Sequence, residues 1–245
     1  MTTIEEMNSP KRTARIAGFL YVLMIPLGLL GVMYVPTVLV VAGDAVTTTK
    51  NVMANIGLFR LSIVTALIVQ VTHIFIVLLL YKLLKPVNKN LASLMVIFML
   101  IGIPITMLNE LNHFAVLLLL SGADYLKVFT EGQLQALVLM FHDLHEYVPN
   151  SIASIFWGLW LFPMGYLVFK SGFISKIPGV LLIIAGSGYL IDTFARILSP
   201  NYGATIIAIF FMFAMFVEVV FPIWLLIKGV NVEKWKKRAL ESART

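Results

Sequence analysis

The sequence predicts an all-α protein, a polytopic membrane helical bundle with six transmembrane helices. Three observations carry that expectation. Of the 245 residues 60% are hydrophobic and only 12% charged; the mean hydropathy is +0.96; and the apolar residues gather into long runs of spanning length. Soluble domains carry about 25% charged residues, and a soluble core of this size has no room for so much apolar surface. A water-soluble globule and a disordered chain are therefore both excluded. The chain has no cysteine, which removes disulfides, thiolate nucleophiles and thiolate metal ligands together.

A hydrocarbon core about 30 Å thick takes about 20 helical residues at about 1.5 Å each. Runs of that length fall at about residues 16–35, 58–81, 91–120, 152–169, 177–198 and 204–227. Ser9-Pro10 reads as the N-cap and first helical residue ahead of the first run. Lys11, Arg12 and Arg15 precede that run, and Lys82, Lys85 and Lys89 separate the second from the third. Lys170 and Lys176 separate the fourth from the fifth, and Lys228, Lys234, Lys236, Lys237, Arg238 and Arg244 follow the sixth. The intervening connections are nearly free of basic residues. The positive-inside rule then places both termini in the cytoplasm of a multi-pass inner-membrane protein. The basic tail 228–245, with Lys234-Trp235-Lys236-Lys237-Arg238, is expected on anionic lipid headgroups, where each cation contributes about 1 kcal/mol. No nucleic-acid partner is expected, because the basic residues follow membrane sidedness. No linker interrupts the runs, so residues 1–245 read as a single transmembrane domain.

Pro26, Pro104, Pro163 and Pro222 fall inside the runs and should kink them, since each removes a helical N–H. Ala185-Gly186-Ser187-Gly188 makes the fifth run narrow enough for close helix packing. The segment 131–147 is expected to form an amphipathic helix at the outer face, opened by a Thr130/Gln133 capping box and ended before Pro149. Gln135, His142 and Glu146 share one face of it, and Leu134, Leu137, Phe141 and Leu144 make the apolar face.

The stretch Phe156-Trp157-Gly158-Leu159-Trp160-Leu161-Phe162-Pro163-Met164-Gly165-Tyr166, with Leu167-Val168-Phe169-Lys170-Ser171-Gly172-Phe173 after it, is followed by Ala185-Gly186-Ser187-Gly188-Tyr189-Leu190-Ile191-Asp192. Together these resemble a bacterial membrane family known as a domain of unknown function (family 4386). The likeness runs from Ala14-Arg15-Ile16-Ala17-Gly18 almost to the last run. It implies a bacterial multi-pass membrane protein, and it implies no reaction, ligand or catalytic residue.

Ionisable side chains within a bilayer cost about 2.5–3.5 kcal/mol near its centre, so their positions carry information. They cluster here. The third run holds Asn109, Glu110, Asn112 and His113; the segment before the fourth holds His142, Asp143, His145, Glu146 and Asn150. Arg60 opens the second run, which also holds Gln70 and His73; Asp192 and Arg196 lie in the fifth, and Glu218 in the sixth. Arg60, Glu110, His113, Asn150 and Arg196 each lie about 30 Å from the cytoplasmic end of their run, so they share one outward layer. His73 and Glu218 form a separate pair nearer the cytoplasm.

Three accounts fit this polar cluster. In a structural one, Arg60 and Arg196 pair with Glu110, Asp143, Glu146 or Asp192 and fix helix register. In a second, the outward-facing cluster binds a small polar ligand or protons. In a third, Glu110 and His113 at i and i+3, with His142 and Glu146 at i and i+4, supply a divalent metal such as zinc and make a membrane hydrolase. No His-Glu-x-x-His motif, nucleophile elbow or phosphate loop is present.

Overall fold

The computed structural model describes residues 9–147, 152–198 and 204–243, and among them there are helices and no strand. Helix α1 (Pro10–Gly28) starts at the proline expected to open it. It continues through a π-helical turn, Leu29–Tyr34, into α2 (Val35–Leu39). Next come α3 (Ala45–Ala54), α4 (Ile56–Leu84), α5 (Lys89–Leu119), a 3-10 turn at Asp124–Val128 and α6 (Glu131–Tyr147). The remainder is α7 (Ser154–Ser171), α8 (Lys176–Leu198), α9 (Ala204–Ile227) and α10 (Val232–Ser242). Each expected run falls on a helix. Helix α3 was not foreseen, because its Thr-, Lys- and Asn-containing sequence lacks an apolar run.

Pro10–Leu39, α4, α5 and α8 are long and apolar enough to cross a membrane. Met212–Ile227 with Val232–Ser242, bent by 99°, would be a fifth. Helix α7, in the place of the fourth expected run, is not among them. It interleaves Trp157, Gly158, Trp160, Pro163 and Gly165 with its apolar residues, and most of its length is buried by protein. A helix shielded by its neighbours can carry this mixture where a lipid-facing one cannot.

The chain divides into two compact units. The first comprises Met1–Leu23, Thr72–Ile103 and Ser151–Thr245. At its centre α7 and α8 lie so close that a Cβ on Gly165 would stand 2.6 Å from the Gly179 carbonyl, and one on Gly186 would stand 2.8 Å from the Gly158 carbonyl. Only glycine permits that approach. Helix α10 is capped by Asn231, whose side chain accepts from Lys234 N–H at 3.0 Å. It is pinned by Trp235 Nε1, which donates to the Leu83 carbonyl at 2.8 Å.

The second unit comprises Met24–Val71 and Pro104–Asn150. Its core joins Val35, Leu39, Val52, Phe59, Ile63, Val116 and Val138. Helix α3 packs on α6 and is capped by Asp44, which accepts from Thr47 N–H at 2.9 Å. Helix α6 opens with the expected capping box: Thr130 N–H donates to Gln133 Oε1 at 2.8 Å, and Gln133 N–H to Thr130 Oγ1 at 3.3 Å. The expected polar face contributes His142 to the interior, and Phe141 of the apolar face packs on the core of this unit. Val138 and His142 are its buried residues, whereas Leu144 is exposed. The histidine face points inward because it meets buried partners on α5, described next. Pro149 lies outside the described residues.

Candidate functional site

Glu110 and His113 are one turn apart on α5, so both side chains leave the same face of the helix. Glu110 Oε2 lies 3.2 Å from His113 Nδ1, and its Oε1 lies 3.0 Å from His145 Nε2 on α6. Glu110 and His113 are buried, and His145 is mostly so. Ligand atoms from these three residues all lie within 4.8 Å of one another. One carboxylate thus bridges two imidazoles from two helices, entirely within the second unit.

The rings are ordered as a stack. His113 and His145 lie 3.5 Å apart at 18°, and His142 lies 5.9 Å from His113 at 10°. Phe59 closes a side, its ring 4.8 Å from His113 at 63°. Stacked imidazoles tolerate one positive charge far better than two or three, because like charges at this range repel strongly away from water. His113 Nε2 and His142 Nδ1 are buried without a hydrogen-bond partner. Such buried ring nitrogens are costly unless something else satisfies them.

Neighbouring polar groups fix the geometry. Asn109 Nδ2 donates to the His145 carbonyl at 2.8 Å, tying α6 to α5 beside the cluster. Asn112 Nδ2 donates in turn to the Asn109 side chain at 2.9 Å, which orients that amide. Glu146 Oε1 stands 3.5 Å from His145 Nδ1. Burial opposes charge on His145, but the Glu110 and Glu146 carboxylates outweigh it and raise the pKa to about 9. Burial opposes the Glu146 carboxylate too, yet His145 beside it holds its pKa below the ordinary value. Burial is also the main effect on His142, and it lowers that pKa, because the nearby Glu146 offsets burial only partly.

Of the residues singled out in the sequence, Glu110, His113 and His145 converge, with His142, Asn109, Asn112 and Glu146 around them. Asp143 is exposed on α6. Arg60 is exposed and forms no ion pair among the described residues, so of the two arginines of the structural account only Arg196 is paired there. Asp192 and Arg196 belong to the first unit and pair with each other at 2.9 Å. Asn150 lies outside the described residues. The sequence reading placed His145 in the polar cluster but not among the metal ligands; the His142-x-x-His145 spacing, matching Glu110-x-x-His113, is the signal that finds it. Phe59 carried no signal, since an aromatic in an apolar run reads as core.

A protein of Archaeoglobus fulgidus described as "Uncharacterized protein" is 32% identical over 185 residues, covering 73% of this chain and 93% of its own. That relative is archaeal, so the family reaches beyond the bacteria implied by the resemblance in the sequence. No solved structure matches the chain. The long apolar helices mark a membrane-embedded protein. A family model described as "Domain of unknown function (DUF4386)" matches residues 16–229, and with it and that relative the chain belongs to the DUF4386 family.

Proposed function

We propose that this is a multi-pass inner-membrane protein that binds a divalent transition metal of the zinc class through Glu110, His113 and His145. The observation that carries the reading is the convergence of those three donors, with no arginine or lysine paired to them among the described residues, beside the buried and unpartnered His113 Nε2 and His142 Nδ1. Imidazole and carboxylate are donors that zinc accepts, at about 2.0–2.2 Å. Tetrahedral ligands at such lengths stand about 3.3 Å apart. The 3.0 and 3.2 Å separations at Glu110 are within a few tenths of that. Glu146 beside His145 Nδ1 supplies the carboxylate that commonly orients a ligating histidine. His142 flanks the set and is a reserve donor. Three protein ligands leave a coordination position open, which is the arrangement of hydrolytic rather than structural zinc. Hydrolysis by a metal-activated water is therefore the activity class to assay.

A second reading rests on the same distances, which are also hydrogen-bond lengths, and on the raised pKa of His145. There the carboxylate holds a proton between two imidazoles and no metal enters. The topology proposed for either reading has six spans and cytoplasmic termini. It is supported by the alternation of basic connections, with the basic α10 on anionic headgroups.

Elemental analysis and zinc titration of detergent-purified protein separate the two. Stoichiometric zinc in the wild type, lost in His113→Ala and His145→Ala but kept within severalfold in His142→Ala, supports the metal site. A folded wild type that neither retains nor takes up zinc, cobalt or manganese excludes it and leaves the proton-sharing cluster.

A further inference from the structure

The first unit holds a carboxyl that the metal reading does not use. Glu218 on α9 accepts a 2.8 Å hydrogen bond from the Tyr189 hydroxyl on α8. Tyr21 on α1 is a second phenol within electrostatic reach of Glu218, and Asp192 lies within such reach of Tyr189. Asp192 is already taken by Arg196, and no lysine or arginine pairs with Glu218 among the described residues. The surroundings are aromatic. Trp157 meets the Tyr189 ring edge-on at 6.5 Å, and His73 meets the Tyr21 ring edge-on at 6.0 Å. The buried His73 Nδ1 and Trp157 Nε1 have no hydrogen-bond partner. Pro222, four residues beyond Glu218, has no N–H to give the Glu218 backbone carbonyl, so this turn of α9 is polar twice over.

An ionised carboxylate on a spanning helix, with the Tyr189 phenol as its donor and no cation paired to it among the described residues, lacks the compensation that charge in a membrane requires. Uptake of a proton removes the cost with no change of packing. A metal ion does not fit as well, since one carboxylate among aromatic rings offers it too few donors. We propose that Glu218, held by Tyr189, is a proton-binding site of the membrane domain, independent of the Glu110–His113–His145 cluster. The phenol holds one carboxyl oxygen and the proton resides on the other.

Dicyclohexylcarbodiimide, which partitions into membranes and adds to protonated carboxyls, tests this in full-length protein reconstituted in lipid. Peptide mass spectrometry should find the adduct on Glu218 and not on Asp192, with labelling that falls about tenfold per pH unit above its midpoint. Glu218→Gln should abolish the adduct. Tyr189→Phe should carry labelling to higher pH, because the phenol favours the ionised form it donates to. Absence of labelling from acid to alkaline pH in folded protein would overturn the proposal, as would equal labelling of Asp192. Protection by sodium or tetramethylammonium at fixed pH would overturn it in favour of a cation site. None of these results depends on whether zinc binds elsewhere.

Discussion

Gly165→Ala adds one methyl at the closest approach between α7 and α8. That carbon would stand 2.6 Å from the Gly179 carbonyl oxygen and 2.8 Å from Ile183 Cγ1, where ordinary contact begins at 3.4 Å. The backbone cannot yield as a flexible side chain would, so the helices must part by several tenths of an ångström. A gap of about 0.5–1 Å forfeits about a quarter to a half of each dispersion contact across it. Overpacking of this kind costs about 1–3 kcal/mol, while replacing a helical glycine by alanine returns up to about 1 kcal/mol. Against a control that gains the same helical return, the loss is about 1–3 kcal/mol, or about 2–12 °C in midpoint for a chain of this length. Thermal unfolding in detergent reads it, with Gly57→Ala as the matched control: Gly57 lies on α4 with nothing within 4 Å of its would-be Cβ. The control should melt no lower than wild type. Adding Gly179→Ala to Gly165→Ala should cost less than the sum of the two, because the first methyl has already parted the helices. Gly165→Ala melting at or above the control would refute this account of the interface.

The remaining expectations concern the cluster and the tail. Asn109→Ala removes the amide that ties the His145 carbonyl to α5, and should weaken zinc binding about 10- to 100-fold with helicity unchanged, read by competition with a chromophoric chelator. In metal-free protein the raised pKa of His145 means its proton adds stability that is complete below the unfolded value of about 6.5 and is lost as pH rises through about 9. A melting temperature that falls across that window in wild type, and stays flat in His145→Gln, is the expected result. Since ligation displaces the same proton, zinc affinity should rise with pH over the same window. Trp235→Phe removes the bond to the Leu83 carbonyl and should cost about 0.5–1.5 kcal/mol in the same melting assay.

The membrane class and the positions of the apolar helices were legible because bilayer thickness sets a length that the sequence must repeat. The Thr130/Gln133 box and the Pro10 start were legible for a similar reason: each is a local pattern solved within a few residues. Helix α3 was not. Its stability comes from the Asp44 cap and from Val52 in the core of the second unit, neither of which leaves a hydrophobic period. On α6 the periodicity separates two faces, and the structure buries His142 of the polar one while Phe141 of the apolar one packs on the core and Leu144 stays exposed. The decisive fact was that a buried carboxylate on α5 needed an imidazole opposite it.

That contrast bears on how the cluster formed its membership. Sequence spacing selects pairs on one helix, which is why it yields Glu110 with His113 and His142 with Glu146. Convergence between helices obeys a different constraint, the register between α5 and α6, and Asn109 sets it by holding the His145 carbonyl at 2.8 Å. Once that carbonyl is fixed, the His145 ring is brought to Glu110, while His142, a turn earlier, stacks on His113 without reaching the carboxylate. Glu146 is left beside the far nitrogen of His145, 3.5 Å from Nδ1. The residue that decides which histidine reaches Glu110 is therefore an asparagine with no claim to ligation, and its effect is felt through a backbone carbonyl that no side-chain motif records.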